Sequence, residues 1–185
     1  MACVQSALRY AGYDLDTRED RLLKRFGSMP TNGTNHKNIA AFLNSVTCQG
    51  EKVFNALEWK SFDGGQYDSK LAAFNELWET LSGEFARPVI CIIQAWKGSE
   101  YDYSEDRNDD GHYVIAIGTA INSDGKKYII FMDPSTAGGY TYIEANELAI
   151  RWHDADGDNV IKYGGLVLNY KNKPKSEEST FYKLG

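Results

Sequence analysis

The sequence places a histidine and an aspartate at the open end of a predicted β-hairpin. His112 begins the apolar segment HYVIAIGTAI, Asp133 ends KKYIIFMD, and NSDG between them predicts a turn centred on Ser123 and Asp124. Position 112 then falls opposite roughly 133 to 135. The two side chains lie on the same face of the sheet if the residue that pairs with Asp133 is an even number of positions from His112. An acid beside an imidazole fixes its tautomer and stabilises its cation, which supplies the base and orienter of a nucleophilic site. The alternative interpretation is that His112 and Asp133 are ordinary surface residues at strand ends.

Cys3 is the candidate nucleophile of such a site. The segment ACVQSALRYAGYDL has the apolar spacing of a helix, and Cys3 lies at its front end, where the helix dipole favours a thiolate. The competing interpretation is a core residue, because Cys3 shares a helical face with Ala7 and cysteine is among the most buried residue types. Cys91, among Ile and Val, is predicted to be core, and Cys48 to be a partly exposed loop residue.

The other polar motifs predict neither a metal site nor a cofactor. His36 is interpreted as a loop or first-turn residue and His153 as a cation near a helix end. DADGDN at 154–159 has its glycine misplaced for a calcium loop, so we interpret it as a solvated acidic turn. Three cysteines without a CxxC or a Cys/His cluster indicate no disulfide framework and no zinc.

Length and charge limit the class of protein. The 185 residues predict one domain over 1–172 with a polar tail at 173–185. The net charge of −6 and the absence of a basic run argue against nucleic acid as a partner. The apolar runs have the length of strands, so no membrane span is expected. No signal peptide is visible, which favours the cytoplasm by default and leaves secretion open if an N-terminal segment is missing.

The order of the predicted elements indicates an α+β fold. Helices come first and antiparallel strands follow, without the β-α-β alternation of a parallel sheet. The predicted helices before the strands are ACVQSALRYAGYDL, DTREDRLLKRFGS, NHKNIAAFLNSV with Thr34 or Asn35 as its cap, and SKLAAFNELWETLSG with an apolar stripe of Leu71, Phe74, Leu77, Trp78 and Leu81. RPVICIIQAW predicts a buried strand, and KGSEYDYSEDRNDDG a long acidic loop bordering the site.

Several of these segments together resemble a known family. CVQSALRYAG, NGTNHKNIAAFLNS, RPVICIIQAW, GHYVIAIG, FMDPSTAGG and EANELAIRWHD come in the order seen in papain-like cysteine peptidases, and the chain most resembles the bacteriocin-leader (double-glycine) processing peptidases. The resemblance covers roughly residues 2 to 170 as an order of motifs. It implies a papain-like fold, with N-terminal helices packed on an antiparallel sheet and the site in a cleft between them. It also implies that His112 is the catalytic base and that Asp133 orients it.

The resemblance also bears on the nucleophile. In that family the catalytic cysteine begins a CGxAC motif, and a helix ending in YYG or similar follows. When RYAG of this chain is matched to that ending, Cys3 falls on the second, non-catalytic cysteine of the motif. The nucleophile would then lie two places before Met1, and the family's oxyanion-hole glutamine further upstream, so we expect a chain truncated at its N-terminus.

The sequence leaves three functions open. The first is a cysteine peptidase that hydrolyses a peptide or protein substrate through a thioester. The second is a non-catalytic papain-like module that binds peptides. The third is a transferase or amidase acting on small thiols or amides with the same triad, because substrate choice depends on pocket shape.

Overall fold

The computed structural model describes residues 2–10, 34–62, 70–94, 96–99, 102–103, 111–134, 139–156 and 159–171. This part of the chain is α+β with antiparallel strand pairing, as predicted. Its helices are α1 (Ala2–Tyr10), α2 (His36–Ser45), α3 (Lys70–Ser82) and α4 (Ala145–Arg151). The helix predicted over DTREDRLLKRFGS and the tail at 173–185 lie outside the described residues.

Most of the longer strands join one six-stranded sheet. Along the chain the strands are β1 (Thr47–Cys48), β2 (Glu51–Lys52), β3 (Trp59–Ser61), β4 (Val89–Gln94), β5 (Trp96–Ser99), β6 (Asp102–Tyr103), β7 (Gly111–Ile121), β8 (Lys127–Met132), β9 (Tyr140–Glu144), β10 (His153–Asp156), β11 (Asn159–Lys162) and β12 (Gly164–Val167). The order in the sheet is β3-β12-β4-β7-β8-β9, and the pairs β1-β2, β5-β6 and β10-β11 stand apart. Strand β4 is therefore central, and all six of its residues are buried.

The described residues fall into two compact units, one drawn from Met1–Ala56 and Asn169–Gly185 and the other from Leu57–Leu168. The single-domain boundary at residue 172 stays a prediction. In the first unit, Tyr170 joins separate segments, because it bridges Phe54 in a short antiparallel contact and its phenol donates to the Ala7 carbonyl at 3.0 Å. That carbonyl is in the last turn of α1, where intrahelical donors run out.

In the second unit, helix α3 covers one face of the six-stranded sheet. Its buried side chains Ala73, Phe74, Leu77 and Leu81 share a core with alternate residues of the strands, among them Val89, Cys91, Ile93, Val114, Ala116, Ile129, Phe131 and Ile143. Alternate residues of a strand point to the same face, which explains the spacing of two. Full burial of one large aliphatic side chain contributes about 1.5–3 kcal/mol, so this layer fixes the register of the strands.

Local signals in the sequence explain where α2 and the β7–β8 hairpin begin and end. Asn35 caps α2, because its side chain accepts from the Lys37 N–H at 2.9 Å, as predicted. In the hairpin turn, the Asn122 side chain accepts from the N–H groups of Asp124 and Lys126. Gly125 has φ +79°, a conformation that glycine adopts without strain.

The structure differs from the expectation at Leu71 and in the acidic segment. Leu71 is 70% exposed and does not belong to the buried stripe of α3, in which Ala73 is buried instead. The segment predicted as a long acidic loop contains most of β5, all of β6, which pairs with it, and the first residue of β7, and its other residues lie outside the described ones. Among the described residues, no helix is long and apolar enough to cross a membrane.

Candidate functional site

Three neighbouring strands position His112 and Asp133. His112 is the second residue of β7, where it pairs with Ile93 of the buried strand β4. Asp133 directly follows β8, and its N–H donates to the Gly139 carbonyl at 2.9 Å. Both backbones are therefore held by hydrogen bonds, and the two side chains extend from a sheet whose core face is closed by α3.

A β-bulge interrupts the ladder between β7 and β8. Near the turn the register pairs Gly118 with Ile130, whereas on the far side Ala116 pairs with Phe131. Ile117 is thus the extra residue, and the register shifts by one at this point. Bulges of this kind redirect the side chains that follow them.

The shift decides which face Asp133 occupies relative to His112. Continued past Ile115–Met132, the shifted register sets Asp133 opposite Val114, two residues from His112 and therefore on its face. Without the shift, Asp133 would oppose Ile115, three residues from His112 and on the other face. The bulge thus absorbs the odd residue that would have separated the two side chains.

The two side chains are in hydrogen-bond contact. His112 Nε2 lies 2.8 Å from Asp133 Oδ1. The Asp133 side chain is fully buried, whereas 23% of the His112 side chain is exposed. An ionised carboxylate only accepts, so Nε2 donates when Asp133 is ionised, and a neutral ring then carries its basic lone pair on Nδ1. The arrangement is that of a partly exposed imidazole in contact with a buried acid.

The three cysteines are all described, and all are thiols. Cys3 is 2% exposed and packs in α1 with Val4, Ala7 and Leu8, as its core interpretation predicts. Cys3 belongs to the first unit and the His112–Asp133 pair to the second. Cys91 is fully buried in β4, as predicted. Cys48 is half-buried and lies in β1, where a loop was predicted.

The other two histidines and the acidic motif are placed differently. His36 is the first residue of α2, in agreement with its first-turn interpretation, whereas His153 begins strand β10 two residues after α4 ends. The interpretation of DADGDN as a solvated turn is wrong for Asp154, which is 8% exposed. Asp154 lies in a strand against the start of β7, so neighbouring backbone covers it. The described residues contain no group of three or more His, Cys, Asp or Glu that could hold a metal ion.

Sequence reasoning missed three buried polar residues near His112: Gln94, Arg151 and Asp154. The signal was an amide that ends an otherwise apolar strand, together with a glycine directly before the histidine. With this geometry established, comparison with known proteins adds no identification. No protein-family model matches the chain, and no curated protein matches it at a significant level.

Proposed function

We propose that this chain carries the base and the orienting acid of a papain-like cysteine peptidase, with His112 as general base and Asp133 as orienter. The observation that supports the proposal is the 2.8 Å contact between a partly exposed imidazole and a fully buried carboxylate. A surface ion pair would expose both partners and contribute little. Burial of one partner alone is the arrangement that fixes a tautomer while leaving the ring accessible.

The proposed chemistry is acyl transfer in two steps. His112 Nδ1 takes the proton of a thiol, and the sulfur attacks the carbonyl carbon of a peptide bond. The tetrahedral adduct collapses to a thioester as the imidazolium gives its proton to the leaving amine. Water, deprotonated by the same nitrogen, then attacks the thioester and releases the acid and the thiol. Asp133 stays ionised throughout and stabilises the imidazolium.

The identity of the thiol rests on the family resemblance, which sets the nucleophile two positions before Met1. The burial of Cys3 supports this assignment, because a reactive cysteine needs an accessible thiolate. Cys91 is fully buried and is excluded by the same argument.

The burial of Cys3 also favours a second candidate function, a peptide-binding module without a nucleophile. Such a module would use the same fold and would hold a peptide without cleaving it. The two functions differ in one measurable property, namely whether a bound peptide is hydrolysed.

The test compares three proteins: the chain as given, an extended chain with Cys-Gly added directly before Met1, and a matched chain with Ser-Gly added there. Each is incubated with a peptide library that includes basic and Gly-Gly-containing sequences, and cleavage is followed by mass spectrometry. The same library is used to measure binding. The extended chain is also prepared as the variants His112→Gln and Asp133→Asn.

The peptidase proposal expects cleavage by the Cys-Gly chain, none by the Ser-Gly chain, and a loss of about a hundredfold or more in the His112 variant. Cleavage by the chain as given that Cys3→Ser abolishes would make Cys3 the nucleophile. Binding without cleavage in all three proteins would favour the module. Cleavage that is indifferent to His112 would contradict the proposed roles.

A further inference from the structure

The carboxyl group of Asp154 lies close beside Gly111, the first residue of β7, directly before His112. A methyl group at Gly111 would clash with the carboxyl carbon and Oδ1 of Asp154. No side chain fits beside that carboxyl, so Gly111 is required if Asp154 is to keep its position. Asp154 is 8% exposed, whereas Gly111 is exposed, so the carboxyl borders one side of the backbone that carries the imidazole.

The strand that pairs with Gly111 is anchored by a buried guanidinium. Gln94, the last residue of β4, pairs with Gly111. Its backbone carbonyl accepts from Arg151 Nη2 at 2.7 Å and from Arg151 Nε at 3.2 Å. Arg151 is fully buried at the end of α4, and its Nη1 contacts Glu147 Oε1 at 3.1 Å. This forked contact ties the end of β4 to the end of the helix.

The side chain of Gln94 extends the anchor to the next strand. Its Nε2 donates to the His153 carbonyl at 3.0 Å, and Gln94 itself is fully buried. His153 directly precedes Asp154, so this bond holds the backbone beside the carboxyl that approaches Gly111. Gln94 and Arg151 thus fix the Gln94–Gly111 end of the ladder to two further elements, α4 and β10.

We propose that Gln94 and Arg151 are positioning residues for His112, which hold the first residues of β7 so that the imidazole stays in contact with Asp133, and that the Asp154 carboxyl requires a glycine at position 111. The proposal rests on the proposed function, in which that contact matters for catalysis. Strand ends normally open more easily than strand centres, and His112 is only the second residue of its strand. A buried charged anchor is weak evidence for stability, because desolvation offsets its attraction, but it favours one geometry over others.

The test follows the ring proton on His112 Nε2 by NMR and needs no turnover. The signal is assigned by its loss in His112→Gln, and its exchange rate with solvent reports how often the contact with Asp133 opens. The variants are Gln94→Met, which removes the donor to His153, Arg151→Lys, which removes the fork, and Gly111→Ala, which places a methyl against Asp154. The control is Ile143→Val, a core change in β9 that lowers stability without touching the anchor.

The proposal expects exchange about tenfold faster in Gln94→Met and Gly111→Ala than in the control, after correction for global stability. It also expects Asp154→Ala to restore slow exchange when added to Gly111→Ala, because the added methyl then has room. Exchange that follows global stability alone, or a Gly111→Ala defect that Asp154→Ala does not relieve, would overturn the proposal.

The same variants separate this inference from the proposed function. In the extended chain, Gln94→Met should lower kcat about tenfold and leave KM nearly unchanged, because a positioning role affects the reaction step and not substrate binding. Altered exchange without any peptide cleavage would retain the positioning role and reject the peptidase. Peptide cleavage with unaltered exchange would retain the peptidase and reject the positioning role.

Discussion

His112 and Asp133 meet at 2.8 Å on one face of the sheet, although the hairpin turn by itself would set them on opposite faces. The turn pairs Ile121 with Lys127, and an unbroken ladder from there would put Asp133 out of reach. The bulge at Ile117 shifts the register by one and corrects the mismatch. The contact on which the proposed chemistry depends is thus a consequence of one extra residue in β7.

Two single-residue insertions in β8 test this register argument. Alanine inserted between Met132 and Asp133 moves the aspartate to the opposite face, so the hydrogen-bonded ring proton of His112 should disappear from the NMR spectrum. Alanine inserted between Ile130 and Phe131 gives Ile117 a partner and leaves Ala116 paired with Phe131, so the signal should remain. The two proteins have the same composition. Loss of the signal in both, or in neither, would reject the role of the bulge.

Asp133→Asn tests the orienting role of the carboxylate. An amide of the same shape can donate as well as accept, so it no longer dictates which ring nitrogen of His112 carries the proton. We expect a mixture of tautomers in the ring ¹⁵N shifts and a loss of about a hundredfold or more in cleavage by the extended chain. Asp124→Asn, in the exposed hairpin turn, is the matched control and should change neither. Full activity in Asp133→Asn would refute the role.

His112→Gln and His112→Ala separate catalysis from stability. Both should lower cleavage by the extended chain about a hundredfold or more. Glutamine can still donate to the buried Asp133, whereas alanine leaves that carboxylate without its histidine, so the alanine variant should lose about 1–3 kcal/mol more free energy of unfolding. Chemical denaturation measures the difference. Equal stability of the two variants would mean that Asp133 does not depend on this contact for its burial.

The buried phenol of Tyr170 leads us to expect that the protein becomes less stable at alkaline pH. Burial, and secondly the neighbouring Tyr10, raise the pKa of the Tyr170 phenol above its usual value. In the unfolded chain the Tyr170 phenol ionises near pH 10. Its contribution to the free energy of unfolding is therefore complete below about pH 10 and falls above it, by at most about 1.4 kcal/mol per pH unit.

Denaturation at several pH values checks this expectation. Tyr170→Phe should lose the hydrogen bond to the Ala7 carbonyl at neutral pH, at a cost of about 1 kcal/mol, and should show a shallower alkaline decline than the wild type. Tyr140→Phe, at an exposed ring of β9, is the control and should follow the wild type. An equally steep decline in Tyr170→Phe would contradict the assignment.

The sequence was sufficient for features that depend on local signals. The cap at Asn35, the turn around Asn122 and the buried strand β4 follow from side-chain chemistry or from apolar periodicity, which act over a few residues. Leu71 shows the limit of periodicity, because the end of a helix can extend past the surface it covers, and an apolar residue there is then exposed.

Only part of the candidate site could be predicted from the sequence. The pairing of His112 with Asp133 followed from the hairpin, but its dependence on an even register could not be resolved. The bulge had one signal, the glycine at 118 inside an apolar strand, which is compatible with several irregularities. The positions of Gln94, Arg151 and Asp154 depend on contacts between residues as much as 59 positions apart, for which no local pattern exists.

The most direct test of the proposed chemistry is the rate at which the extended chain becomes acylated. A peptide 4-nitrophenyl ester is mixed with the protein, the reaction is quenched at intervals, and intact-mass spectrometry and peptide mapping locate the acyl group. The account predicts a thioester on the added cysteine that forms at least about a hundredfold more slowly in His112→Gln. Equal rates in the two proteins, or acylation at another residue, would contradict it.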